Sequence, residues 1–342
     1  MKHVVYILGA GFSAPLGVPV ISNFREKAQY LWHENRDKEE FAIIERVHKL
    51  FDDYDTIQKY YPIRAHDIEE MLSIAETFDL LDSTVNYSAD IRDYIALVIR
   101  NYTPDLASWE ALKKLRNSHR EFYIRFFATI MGYANQEGSI DARFLSQQLE
   151  PAEYNYTIVT LNYDLIVENM IGLIQSRVPA SSQRKVEQID LTPEYFSDHS
   201  TDTIGVLKLH GSIDKDNIIP PTWNKSLDDN IRPIWSSAFQ AIRNADHIRF
   251  VGYSLPETDV YMRYLIKSAA TKSQRLSRIS VICKDDSTGS IRQRYNAFIS
   301  FHRYKFFSRD YLEVLGDCNT TRCSVNEFEK KYEDEFNRAE IE

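Results

Sequence analysis

Cysteine is scarce in this chain of 342 residues: Cys283, Cys318 and Cys323 are the three present, all late in the sequence and without a C-x-x-C pair. They can supply neither a disulfide framework nor a structural zinc ribbon, so no metal is expected, and a reducing cytoplasm is the expected compartment. Glycine and proline number 11 each, too few for a linker-rich or fibrous chain. Membrane-spanning apolar runs are lacking, so no membrane partner is expected. Basic charge is in deficit, 41 Lys+Arg against 50 Asp+Glu for a net charge of -9. That balance excludes a protein coating nucleic acid over its whole surface and leaves room for a local basic groove only; direct nucleic-acid binding is not expected. Lys2 and the run Val4–Ala10 have the order of a secretory signal, but the apolar part is short and glycines interrupt its continuation. What is present suits a packed globule: 43% hydrophobic, 13% aromatic and 27% charged residues, long enough for one large domain or two ordinary ones.

The run His3–Leu8 is continuously apolar and ends in glycines, as does a strand buried on both faces of a parallel sheet. Residues 25–155 then change to helical spacing. Ile68, Met71, Leu72, Ala75 and Phe78 form one stripe, preceded by Asp67 as N-cap with Glu70 three residues later. Ile91, Tyr94, Ile95 and Val98 form another, and one longer aromatic helix is expected through Trp109, Phe122, Phe126 and Ile130. Strand patterns resume at Tyr156–Leu161, Thr203–Leu209, His247–Val251, Arg278–Cys283 and Phe301–Phe306, with helices such as Leu165–Ile174 and Tyr261–Ala270 between them. The expectation is an α/β fold with a doubly wound, mainly parallel, Rossmann-like sheet and a large helical insertion. Residues 1–320 would form the nucleotide-binding domain, and 321–342 a charged, solvated C-terminal helix.

Gly9-Ala10-Gly11-Phe12-Ser13-Ala14 follows the first strand and matches G-x-G-x-x-G/A, a turn that brings backbone N–H groups to a diphosphate. Ser13 adds a hydroxyl donor. Glycines also end strands for local reasons. A hydride-transferring enzyme would next supply a strand ending in an acidic residue about 20 residues on. Here Glu26 and Glu34 lie in a helical pattern instead, so a dinucleotide is expected and hydride transfer is not.

Further strand ends carry polar groups. Asn162 and Asp164 follow one strand, where they either line the ligand crevice or stabilise a turn and cap the next helix. His210, alone among nine histidines, ends a strand and precedes a glycine. Gly252 and Ser254 follow another strand, again as nucleotide contacts or as an ordinary loop with Asp259 near a helix start.

Taken in order, Gly9–Pro19, Thr160–Asp164, Leu209–Ser212 and Val251–Leu255 resemble the GAG-x-S…GIP, T-Q-N-x-D, H-G and G-[TS]-S signatures of the sirtuin fold. The set is similar to the prokaryotic sirtuin-like NAD hydrolases of antiphage defence, whose helical part commonly shows Asp-Ile-Glu-x-x-Leu, here Asp67–Leu72. Pro220-Pro221-Thr222-Trp223 also resembles that branch. The deacylase branch commonly carries a four-cysteine zinc module between its last two motifs, and this chain has no cysteine before Cys283. Leu161 replaces the Gln of the T-Q-N-x-D signature, and the unmatched Val20-Ile21-Ser22 leaves no role carried over for Phe24.

The resemblance implies NAD as substrate, Asn162 and His210 as catalytic residues, and NAD contacts from Gly9, Ala10, Gly11, Phe12, Ser13, Pro19, Asn162, Asp164, Gly252 and Ser254. It implies cleavage of the bond between nicotinamide and ribose. It also implies control by self-assembly into a homo-oligomer or by a separately encoded ATPase or sensor partner. A non-catalytic NAD or ADP-ribose-binding subunit and a zinc-less protein deacylase are the alternatives.

Overall fold

A computed structural model describes residues 1–57, 67–82, 86–106, 109–135, 145–147, 153–178, 185–187, 203–215, 217–219, 231–285, 287–318 and 323–338. In chain order the elements are β1 (Lys2–Leu8), α1 (Ala10–Ser13), α2 (Phe24–Glu34), α3 (Ala42–Ile57), α4 (Ile68–Leu81), α5 (Tyr87–Tyr102), α6 (Trp109–Lys113) and α7 (Asn117–Ile130). Then come β2 (Tyr133–Asn135), β3 (Leu145–Gln147), β4 (Tyr154–Thr160), α8 (Ile166–Ser176), β5 (Lys185–Glu187), β6 (Thr203–Lys208) and α9 (Arg232–Arg243). The chain continues through β7 (His247–Val251), α10 (Val260–Lys272), β8 (Arg278–Ile282), α11 (Ser290–Phe298), β9 (Tyr304–Phe307), α12 (Tyr311–Cys318) and α13 (Val325–Arg338).

Seven strands form one sheet in the order β5-β6-β4-β1-β7-β8-β9. Every pairing in it is parallel, in line with the mainly parallel sheet expected. Parallel strands need helical crossovers, which cover both faces; hence the unbroken apolar runs of β1 and β4, the latter buried along its whole length. One core joins β1, β4 and β6 to α2, α3, α4, α5, α7, α8, α12 and α13. The other packs α9, α10 and α11 on the opposite face. Among the described residues no helix is long and apolar enough to cross a membrane.

Local departures have local causes. The aromatic helix expected through Trp109–Ile130 is two, α6 and α7, broken at a turn in which Leu115 N–H bonds the Leu112 carbonyl and Arg116 is extended. The three-residue strands β2 and β3 form an antiparallel pair inside the insertion, and β5 is an edge strand of three residues. None of these carries enough apolar periodicity to be legible. β9 begins three residues later than expected, because His302 and Arg303 make a turn before it, closed by the Tyr304 N–H on the Phe301 carbonyl at 3.2 Å. In α4, Ile68, Met71, Leu72 and Ala75 are buried while Phe78 is exposed. Asp67 caps that helix, its Oδ1 accepting from the N–H groups of Glu69 and Glu70 at 3.1 and 3.3 Å.

The C-terminal helix is not solvated. Val325, Phe328, Glu329, Tyr332 and Phe336 of α13 are buried against the sheet. Arg249 of β7, 0% exposed, donates to both Glu329 oxygens and to the Tyr6 hydroxyl, and its guanidinium lies 3.7 Å from the Tyr332 ring centroid. The charge density of residues 325–338 therefore hides a charge whose partner is in mid-sheet. Burial opposes the Arg249 charge, but Glu329, Tyr6 and Tyr332 more than offset it and hold the guanidinium pKa well above its ordinary value.

Candidate active site

Parallel register decides what shares a crevice. Leu8 pairs with Thr160 and Val251, Thr160 with Lys208, and Val251 with Ile282, so five strands end flush at one edge. The turns after β1, β4, β6 and β7 thus meet outside the carboxyl ends of the strands, with β1 between β4 and β7 where the winding direction changes. All four sequence motifs leave the sheet there.

Asn162 stands two residues beyond the end of β4 and is buried. Its Nδ2 donates to the Gly9 carbonyl and to Ser13 Oγ, both at 3.0 Å, and its backbone N–H bonds Thr160 Oγ1 at 3.1 Å. Both amide hydrogens are thereby directed into the glycine turn. The group left to face a ligand is Oδ1, an acceptor suited to a water or a ribose hydroxyl.

The glycines of this turn answer to protein rather than to ligand. Gly9 N–H bonds the Val251 carbonyl at 3.1 Å, Gly11 N–H bonds the Gly252 carbonyl at 2.9 Å, and Phe12 N–H bonds Gly9 O at 2.9 Å. A Cβ on Gly11 would lie 2.7 Å from Gly252 O, and one on Gly252, whose φ is +62°, would lie 2.3 Å from Phe12 N. Gly9, Gly11 and Gly252 are small because two loops press together. Phe12, one of the expected ligand contacts, turns its side chain into the protein. Its side chain is 0% exposed and packed on Tyr123 and Tyr311, each with its centroid at 5.3 Å, while its carbonyl accepts from both of their hydroxyls. The insertion helix α7 and the C-terminal α12 thus brace the turn from behind.

His210 stands two residues beyond the end of β6, level with Asn162. Leu209 N–H bonds Thr160 O at 3.0 Å and Ile213 N–H bonds Tyr163 O at 3.1 Å, which ties the two loops together. The next residue, Gly211, has φ +82°, and a Cβ there would lie 1.7 Å from Asn217 O; only glycine turns the chain at this point. The His210 ring is 2% exposed, lies 6.0 Å from the Tyr163 ring, and has Nε2 4.0 Å from Asp259 Oδ2. Asp259 begins α10, accepts from Met262 N–H at 3.3 Å and receives the Tyr253 hydroxyl at 2.7 Å.

Tyr163 and Asp259 were not singled out as site residues in the sequence. One sits between two more conspicuous polar residues; the other reads as an ordinary helix cap. The Tyr163 phenol is held well above its ordinary pKa, first by burial and then by the negative charges of Glu69, Asp259 and Glu76. Glu69 acts likewise on Tyr253. The Asp67–Leu72 motif therefore brings a carboxylate within electrostatic reach of this crevice.

The remaining expected contacts divide. Asp164 stands one residue before the Leu165 N-cap of α8, and its Oδ1 accepts the Ile166 N–H at 3.0 Å, so the turn-stabilising alternative describes its side chain. Ser13 is buried and spends its oxygen on Asn162. The Ser254 carbonyl is gripped by Arg294 Nε and Nη2 at 3.2 and 3.1 Å. Pro19 is buried and Ala10 half-buried at the start of α1. Phe24 packs against Tyr94 in the insertion core, centroids 5.6 Å apart. Pro220–Trp223 lie outside the described residues. Among the described residues no group of three or more His, Cys, Asp or Glu side chains could hold a metal ion.

The polar turns following β4, β6 and β7 are the part of this crevice with recognisable kin. Residues 156–304 match the SIR2-like domain. The match supports a sirtuin-like family and suggests NAD-dependent activity of the sirtuin kind, NAD being the substrate of SIR2-like domains. It spans β4 to the start of β9 and includes Asn162, His210 and Gly252. The glycine turn at residues 9–14 lies outside the SIR2-like match and reaches it through the sheet, since β1 is hydrogen-bonded between β4 and β7. No curated protein matches the chain.

Proposed function

We propose that this SIR2-like chain is an NAD hydrolase that cleaves the N-glycosidic bond between nicotinamide and ribose, and that it serves antiphage defence by depleting NAD. The observation that carries the reading is the fixed Asn162 amide, anchored to Gly9 and Ser13 with its acceptor oxygen free to orient a water, beside the loop after β6 that carries His210. Water attacks C1′ of the ribose as the C1′–N bond breaks. The bonding pair returns to the pyridinium nitrogen, so nicotinamide leaves neutral, and the proton of the water passes to His210. The products are nicotinamide and ADP-ribose. The transition state has oxocarbenium character, so positioning and charge stabilisation carry most of the work. A general base of this kind contributes roughly 10²–10⁴-fold.

No peptide groove is needed for this chemistry; the scarcity of cysteine removes the four-cysteine zinc module, so the deacylase alternative is a zinc-less one. An unrestrained NAD hydrolase would harm its host. Control in the cytoplasm by homo-oligomer formation or by a separately encoded ATPase or sensor partner belongs to the same proposal.

The test is nicotinamide release from NAD by the purified chain, with and without an acetylated peptide. Peptide-independent release is expected. Peptide-dependent release would favour the deacylase, and NAD binding without release, in the monomer and the assembled protein alike, would favour a regulatory subunit.

A further inference from the structure

Capping accounts for one oxygen of Asp259. The other, Oδ2, receives the Tyr253 hydroxyl at 2.7 Å and stands 4.0 Å from His210 Nε2. Asp259 and His210 are 1% and 2% exposed, and burial weakens the screening that makes surface pairs nearly worthless. A shift of about 1 Å brings the ring into N–H···O range of the carboxylate, the kind of tightening that accompanies substrate binding. Which imidazole nitrogen carries hydrogen is set by what the ring faces.

We propose that Asp259 is a positioning residue for His210: it holds the ring with Nε2–H toward Oδ2, leaves Nδ1 to take the proton of the attacking water, and stabilises the imidazolium that forms. The chemical step rests on the NAD-cleavage reading above, whereas the tautomer and basicity of the ring belong to the resting protein. Other charged or titratable groups face this pair. Tyr163 flanks the ring, Tyr253 bonds Asp259, Glu69 and Glu76 of α4 and Arg92 of α5 act on Tyr163, and Arg100 holds the Ile213 carbonyl at 2.9 Å. Asp259 Oδ2 stands at ion-pair distance from the imidazole.

Asp259→Asn isolates the charge, because Asn caps a helix as well as Asp does and retains an oxygen for Met262 N–H. The full chain is labelled at histidine and titrated by NMR, with His210→Gln identifying the resonance. In Asp259→Asn the midpoint of the His210 ring should fall by about one unit and the tautomer should cease to be uniformly Nε2–H. The acid limb of nicotinamide release should move down with it, and kcat should fall about tenfold or more with NAD affinity within about twofold. Tyr253→Phe, which frees Oδ2 from its phenol, should move the midpoint the opposite way and keeps the test decisive if the first variant does not fold. An unchanged midpoint and tautomer in the folded variant overturns the proposal whether or not NAD is cleaved. The expected shifts in a protein that releases no nicotinamide would leave the positioning role standing and remove the NAD-cleavage reading.

Discussion

Asn162 Nδ2 lies 3.0 Å from Ser13 Oγ, joining the turn after β4 to the turn after β1 across 149 residues of sequence. Because the same nitrogen also holds the Gly9 carbonyl, the amide cannot rotate without losing both bonds. Ser13→Ala should keep one anchor and slow NAD cleavage by about tenfold, the worth of roughly one hydrogen bond. Asn162→Ala or His210→Ala should abolish turnover in a chain that still folds, with Asn162→Ala lowering the urea midpoint because Gly9 O and Ser13 Oγ lose a buried partner. Steady-state nicotinamide release alongside equilibrium unfolding checks all three, and full turnover in either alanine variant at position 162 or 210 would refute the site.

Two glycines with positive φ should respond differently to alanine. At Gly252 a Cβ meets Phe12 N at 2.3 Å, so backbone strain adds to a collision with backbone, and Gly252→Ala should cost about 3 kcal/mol or more. At Gly17, with φ +97°, a Cβ would have nothing within 4 Å, leaving only conformational strain of about 1–2 kcal/mol. Urea denaturation of the two variants gives the comparison; equal losses would contradict the close loop contact.

The Arg249–Glu329 pair makes the C-terminal helix part of the core. Glu329→Ala leaves an uncompensated guanidinium beneath α13 and should cost about 3–5 kcal/mol. The double variant Arg249→Met, Glu329→Leu, with no charge left to strand, should recover most of that loss. Chemical unfolding of the single and double variants tests the coupling, and additive losses would refute it.

Acid should unfold the protein early. Burial, followed by the charge of Arg275, lowers the His3 pKa to about 3, and burial, followed by Arg249, lowers that of His247 to about 2. Both rings stay neutral in the folded state but bind a proton in the unfolded chain below its ordinary value of about 6.5. Their stabilisation is present above about pH 6.5 and is lost as pH falls toward the folded values. Unfolding midpoints between pH 7.5 and 5 should therefore decline, and His247→Phe should flatten that decline; a slope unchanged in the variant would show that His247 does not contribute.

Sequence by itself determined the sheet and its punctuation. An apolar run covered on both faces needs no partner information to be a strand, and glycine or asparagine after it marks the edge where a crevice forms; β1, β4, β6 and β7 are legible for both reasons and β8 for the first. The helices of the insertion were legible where a stripe of 3.6 periodicity was strong, and illegible where three residues of β2 or β5 hold their place only by pairing. Tertiary structure alone decided what each polar residue is for. Asp164 and Asp259 both sit at helix starts, yet only Asp259 faces the imidazole, because β7 returns beside β1 and carries its loop to the end of β6. Gly11 and Gly252 are small for one another, a fact held 241 residues apart in the chain and 2.9 Å apart in space. The charged tail misleads for the same reason: composition registers that Glu329 is ionisable, and only the packed sheet supplies the buried arginine that makes its burial favourable.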